Sequence, residues 1–183
     1  MILRETENKD CKLFTPRVFE DERGYFYEGF NKTALKENLG IDFNLVQINQ
    51  SMSTNGVLRG LHFQLPPFDQ AKLVSVIEGE VIDVAVDLRV DSSFFGRTEK
   101  VMLTSENKNH FYIPRGFAHG FLVLSDYAKF MYGVDNFYSP EHDSGIIYSD
   151  KDLDIDWGTD LSEFIVSNKD AVLQKFKDFK SPF

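Results

Sequence analysis

The chain has 183 residues, with 20 Lys and Arg against 29 Asp and Glu, a formal charge of −9. That length fits one domain, and 42% hydrophobic with 27% charged residues is the composition of a globular chain, not a disordered one. The acidic balance argues against a nucleic-acid binder, no apolar run approaches the roughly 18 residues of a membrane span, and a single cysteine, Cys11, allows neither an intrachain disulfide nor a cysteine-built zinc site. The opening residues, Met1 to Glu5, lack the basic-then-apolar layout of a signal peptide, so a soluble cytoplasmic protein is the expectation. Eighteen Phe supply bulk for a large core.

In chain order, the first regular element is a helix capped by Asn31, carrying Ala34, Leu35 and Leu39 and ended by Gly40. The clearest strand signal covers 73–89, where Ile82, Val84, Val86 and Leu88 alternate with Asp83, Ala85 and Asp87. Glu78-Gly79 within it reads as a turn or bulge, because Gly tolerates positive φ. Shorter strands follow at 101–104, 111–113, 120–124 and 129–134, separated by turn-rich pieces. Closely spaced short strands predict a mainly β fold of jelly-roll kind. Asp152, Asp154, Asp156 and Glu163 echo a calcium loop, but Trp157 fills the glycine position, and a solvated turn is expected. Ser167-Asn168-Lys169-Asp170 resembles a capping box before Ala171, Leu173 and Phe176. One domain over 1–183 is expected, with a β-rich core over about 13–160 and a helical segment over about 161–183.

Two segments concentrate chemistry. One runs from Gly56 through Arg59, His62 and Gln64 to Lys72, and a strand lysine needs an anion to be buried. The other, 113–121, holds Pro114 and Gly116, from whose tight loop His119 would project. His110 and His142 lack such surroundings and read as loop residues. The two segments resemble the cupin motifs, except that Gln64 replaces the second histidine of the first. A transition metal prefers several N/O donors, and the set available, His62, His119 and Asp69, argues against a catalytic metal.

Phe19 to Phe26, Gln47, Asn49, Arg59 to His62, Lys72 to Val74, Asp83 to Arg89, Ile113 to Phe121, Tyr132, Tyr138 to His142, Ile155 to Trp157 and Ser167 to Asp170 occur in order along nearly the whole chain. This series resembles the dTDP-4-dehydrorhamnose 3,5-epimerase family, whose members keep a cupin-like jelly-roll barrel without the metal. The resemblance implies epimerisation at C3 and C5 of a dTDP-linked 4-keto-6-deoxyhexose, on the route to dTDP-L-rhamnose. It implies no organic cofactor and no metal, since hydrogens beside a ketone leave through an enolate by proton transfer alone.

By the same resemblance, His62 is the base, Asp170 orients it, Lys72 meets the enolate oxygen and Tyr132 is the acid on the opposite face. His119 supports the sugar, Arg59 and Arg23 meet the diphosphate, Tyr138 and Phe19 sandwich the thymine, and Gln47, Asn49 and Glu28 hold the nucleotide. The segment 19–28 is implied to reach into a neighbour's site, which makes the enzyme a homodimer. The chain departs from the family pattern at Ile48, Gln50, Ala71 and Gly133, positions that bear on nucleotide or sugar preference. Three rival readings remain: a C3-only epimerase of a related dTDP-4-keto sugar, a metal cupin, and a non-catalytic nucleotide-sugar binding module.

Overall fold

Residues 73–89, the strongest strand signal, form two strands that part at Gly79 and belong to different sheets. The computed structural model describes residues 1–160 and 164–183. In chain order the strands are β1 (Ile2–Arg4), β2 (Lys12–Thr15), β3 (Phe19–Asp21), β4 (Gly24–Phe26), β5 (Gln47–Thr54), β6 (Val57–Gln64) and β7 (Lys72–Glu78). They continue with β8 (Glu80–Asp87), β9 (Thr98–Thr104), β10 (His110–Ile113), β11 (Phe117–Val123), β12 (Tyr127–Val134), β13 (Asp143–Gly145) and β14 (Ile165–Val166). One sheet has the order β1-β2-β10-β7-β12-β5; the other runs β13-β6-β11-β8-β9, with β14 parallel to β6. The fold is a mainly β, cupin-like jelly roll, as the strand spacing led one to expect. Strands β3 and β4 stand apart as a hairpin whose Phe19, Tyr25 and Phe26 are exposed.

The two faces of β8 have different surroundings. Ile82, Val84, Val86 and Leu88 do not face the partner sheet; they pack in a cluster with Ile146, Leu153 and Trp157. Phe164, Phe176, Phe179 and Phe183 of the C-terminal segment close that cluster. Val81 and Ala85, on the other face, join Val74, Val76, Phe111, Phe121 and Phe130 in the core between the sheets. Asp83 and Asp87 share this inner face and are fully buried. Carboxyl groups buried there need partners: Asp87 accepts from Arg89, Ser92 and Asn8, and Asp83 meets His119.

The helix α1 (Lys32–Leu39) forms as expected. Asn31 accepts from the Ala34 N–H at 2.9 Å, and Gly40 at φ 70° ends it in a left-handed conformation. Its Leu35 packs with Phe14, Phe43 and Leu73, covering the outer face of the first sheet.

Three expectations are corrected. The helix expected after Ser167 is absent from 164–183, where β14 is followed by two 3-10 turns, Asp170–Val172 and Phe176–Asp178. Half of the capping box does form, since the Asp170 N–H donates to Ser167 Oγ at 3.1 Å. The carboxylate that should return to the cap is engaged elsewhere. His119 lies within β11, not on a loop, and His110 opens β10, buried and stacked on Phe14. Asp156 pairs with Lys100, whereas Glu163 lies outside the described residues. No described helix is long and apolar enough to cross a membrane.

Candidate active site

A cavity of about 590 Å³ is lined from both sheets. The first sheet contributes Asn49 from β5, Lys72 from β7 and Tyr132 from β12. The second contributes Arg59 and His62 from β6 and His119 from β11, and Asp170 enters from its 3-10 turn. Strand pairing sets these positions: Tyr132 lies opposite Asn49, Val134 opposite Lys72, and His119 opposite His62.

A bulge makes the β6 arrangement possible. Residues three apart on a regular strand face opposite ways, yet Arg59 and His62 both reach the cavity. The register against β11 shifts between His119–His62 and Phe121–Arg59, so β6 carries one residue more than its partner. Gly60 and Gly120 allow this close crossing: a Cβ built on Gly60 would stand 2.5 Å from Gly120 Cα, and Gly60 has φ 131°.

His62 Nε2 and Asp170 Oδ1 are 2.7 Å apart, and Asp170 Oδ2 accepts from the Gly60 N–H at 3.2 Å. Burial pushes the Asp170 carboxyl up, but hydrogen bonds from His62 and Gly60 and the His62 charge outweigh it and hold the group below the usual aspartate range. Asp170 therefore stays ionised, a carboxylate held against the imidazole ring.

Lys72 is almost wholly buried, and its Nζ donates to the His62 carbonyl oxygen at 3.2 Å. Desolvation pulls its pKa down to about 8, against the opposing charges of Asp83 and Asp143. It still carries its charge at neutral pH, in a setting where little water screens it. His119 Nε2 lies 2.9 Å from Asp83 Oδ2. Burial drives the imidazole towards its neutral form; Asp83 pulls the other way, and the Lys72 and His62 charges add to the lowering. Burial likewise holds the Tyr132 phenol above its ordinary value, keeping it protonated.

Of the residues expected from the sequence, His62, Lys72, Tyr132, Asp170, Asn49, Arg59, His119 and Tyr138 line the cavity. Gln47 is not among the lining residues but donates from Nε2 to Asn49 Oδ1 at 2.7 Å. Phe19, Arg23 and Glu28 are not brought to it; Phe19 and Arg23 lie on the exposed hairpin, where Arg23 pairs with Asp21. Phe19 and Glu28 instead line a separate groove beside α1. Asp69 pairs with Arg115, and the His62 and His119 Nε2 atoms each face a carboxylate. The His62–His119–Asp69 metal set is thus not assembled, and no other group of three or more His, Cys, Asp or Glu converges among the described residues.

Sequence reading missed Asp143 and Lys169, which meet at 2.5 Å on the cavity wall, and Asp83 as the partner of His119. The adjacency of Lys169 to Asp170 was a usable signal, because the turn that delivers one delivers the other. Of the departures from pattern, Gln50 lines the cavity, and Ile48 is exposed on the edge strand β5. Gly133 faces Leu45, whose terminal methyl would have to shift to admit a Cβ.

The sequence pattern of the dTDP-4-dehydrorhamnose 3,5-epimerase family matches residues 5–178. The chain belongs to this family. The dTDP-4-dehydrorhamnose 3,5-epimerase of Shigella flexneri is 50% identical over 174 residues, 95% of each chain. The solved enzyme of that name from Elizabethkingia anophelis superposes with a TM-score of 0.93 at 51% identity, covering 97% of both chains. The dTDP-6-deoxy-D-glucose-3,5-epimerase of Legionella pneumophila, solved with dTDP-4-keto-L-rhamnose, gives 0.91 at 46% identity over 96% of this chain and 92% of that one. Membership in the epimerase family agrees with the cavity, where an imidazole–carboxylate pair, a buried ammonium and a phenol converge.

Proposed function

We propose that the chain epimerises C3 and C5 of a dTDP-4-keto-6-deoxyhexose, converting dTDP-4-dehydro-6-deoxy-D-glucose to dTDP-4-dehydro-L-rhamnose in dTDP-L-rhamnose biosynthesis. The observation that carries this reading is the approach of His62 and Tyr132 to one cavity from different sheets. His62 takes the proton beside the ketone, and the C–H electron pair becomes the enolate double bond as charge moves to the C4 oxygen. Lys72 donates a charge-assisted hydrogen bond to that oxygen. Tyr132 delivers a proton to the opposite face, and solvent restores both groups before the second carbon reacts. His119, held neutral against Asp83, supports the sugar.

Arg59 binds the diphosphate, Asn49 and Gln47 hold the nucleotide, and Tyr138 stacks on the thymine. A cytoplasmic homodimer belongs to the same proposal. Phe19, Arg23 and Glu28 lie away from their own chain's cavity, and Phe19, Tyr25 and Phe26 are exposed on that hairpin. In a dimer, Phe19 of the partner subunit completes the thymine sandwich, and Arg23 of the partner subunit and Glu28 of the partner subunit reach the nucleotide.

Proton NMR in D₂O tests the reaction, with solvent deuterium expected at both C3 and C5. Absence of label at both carbons would refute it. Label at C3 alone would assign the chain to C3-only epimerisation, and tight dTDP binding without exchange would make it a binding module.

A further inference from the structure

Gln64 occupies the place where a metal cupin has its second histidine, and its side chain is spent entirely on backbone. It is 5% exposed. Its Nε2 donates to the Phe68 carbonyl at 2.6 Å and to the Phe137 carbonyl at 3.0 Å, and its Oε1 accepts from the Ser139 N–H at 2.7 Å. The amide thus grips the chain on both sides of Tyr138. Its own backbone pairs with Asp143 in the β13–β6 ladder, and the Leu65 N–H donates to the His142 carbonyl at 2.9 Å. Both ends of the turn 137–143 are therefore fixed to β6 at one residue.

Tyr138 itself is 54% exposed and has one polar anchor, its hydroxyl on Asp143 Oδ2 at 3.2 Å. A ring so exposed is held by its backbone more than by packing, and an exposed aromatic platform that must first be ordered binds a base less tightly. We propose that Gln64 is a positioning residue that presents the Tyr138 ring to the nucleobase of the substrate. This rests on the reading that Tyr138 stacks on the thymine. Two donors and one acceptor at this spacing match a primary amide, which methionine lacks altogether. A glutamate matches it only in part: ionised, it repels both carbonyls, and protonated, it regains one donor and the acceptor.

The test measures dTDP affinity by calorimetry, and kcat and KM for the nucleotide sugar, in Gln64→Met, Gln64→Glu, Tyr138→Ala and the double variant Gln64→Met/Tyr138→Ala. Gln64→Met should raise the dTDP Kd and the KM about tenfold with kcat within about threefold, and the double variant should bind no worse than Tyr138→Ala. Gln64→Glu should bind dTDP more tightly as pH falls, relative to the parent, which a general packing defect does not produce. Additive losses in the double variant, or a fall in kcat without a rise in KM, would overturn the proposal. Normal dTDP binding by Tyr138→Ala would instead refute the stacking reading, and a weak-binding Gln64→Met beside it would show that Gln64 acts through another group. A Gln64→Met chain that does not fold leaves the decision to the pH dependence of Gln64→Glu, where a flat response counts against the proposal.

Discussion

Asp170 and His62 are 108 residues apart in sequence, and their side chains meet at 2.7 Å. The Asp170 side chain is 4% exposed and that of His62 33%, so the carboxylate is sheltered while the ring opens to the cavity. Asp170→Asn retains the shape but removes the carboxylate charge beside the proposed base. Exchange into substrate should fall by about 100-fold or more, the scale of general-base catalysis, and His62→Ala should abolish it. The carboxyl also couples stability to pH. Its folded pKa lies below the ordinary value, so it stabilises the protein above the usual aspartate range, and that contribution is lost as pH falls through the folded value. Thermal melts of the parent and Asp170→Asn should therefore differ at neutral pH and converge in acid.

Lys72 sets activity against stability. Its ammonium is held to about pH 8 in the folded chain, against 10.5 ordinarily. Between these values the unfolded chain binds more protons, so stability rises with pH across that window. Below pH 8 the buried charge costs about 3 kcal/mol, taking about 1.4 kcal/mol per unit. Lys72→Met should be more stable than the parent in urea at pH 7, the gap shrinking towards pH 10, yet nearly inactive. In the parent, kcat/KM should fall above about pH 8, because that ratio follows groups of the free enzyme.

Tyr132→Phe separates the two halves of inversion. The phenol is held above its ordinary pKa by burial and so stays protonated throughout the neutral range. On the proposed mechanism, loss of the hydroxyl leaves His62 able to remove the first proton but leaves the opposite face without an acid. Deuterium should continue to enter substrate recovered with its configuration unchanged, while inverted product falls by about 100-fold, the typical reach of general acid catalysis. Equal losses of exchange and inversion would remove Tyr132 as the acid.

Gly60 joins fold and site. A methyl group there meets Gly120 Cα at 2.5 Å on a backbone with φ 131°, where L side chains are strained. The same residue's N–H holds Asp170 Oδ2. Gly60→Ala should cost about 2 kcal/mol or more in chemical denaturation. Activity of the still-folded fraction should fall as well, because relief of the clash moves the bulge that turns Arg59 and His62 inward.

The sheet core and α1 were legible because each follows from short-range rules. Period-two runs and a capped, glycine-ended helix are complete within a dozen residues. Orientation was not legible in β8: the alternation marks two faces, the apolar set lies beneath the C-terminal segment, and no local pattern shows what will cover a strand. Asp170 shows the same limit from the other side. Its capping box was real, yet a contact 108 residues away determined where the carboxylate goes. His62, Lys72 and Tyr132 came through because resemblance carries long-range information that periodicity lacks. Asp143 and Gln64 did not, since their partners belong to a turn whose path the sequence leaves open.

The separation of Arg23 from His62 gives the sharpest test of the proposed dimer. Arg23 lies on the exposed hairpin, paired with Asp21, and His62 on β6 lines the cavity. If each site takes its base from one subunit and a phosphate-binding arginine from the other, Arg23→Ala and His62→Ala each disable both sites of their own homodimer. A mixed dimer in random proportion contains one site with both defects and one with neither. Mixing the two inactive proteins under conditions that exchange subunits should restore about a quarter of parental activity, since half the dimers are mixed and half their sites are intact. Light scattering should give twice the chain mass. A monomeric mass, or no recovery from a mixture shown to have exchanged, would place Arg23 outside the neighbour's site.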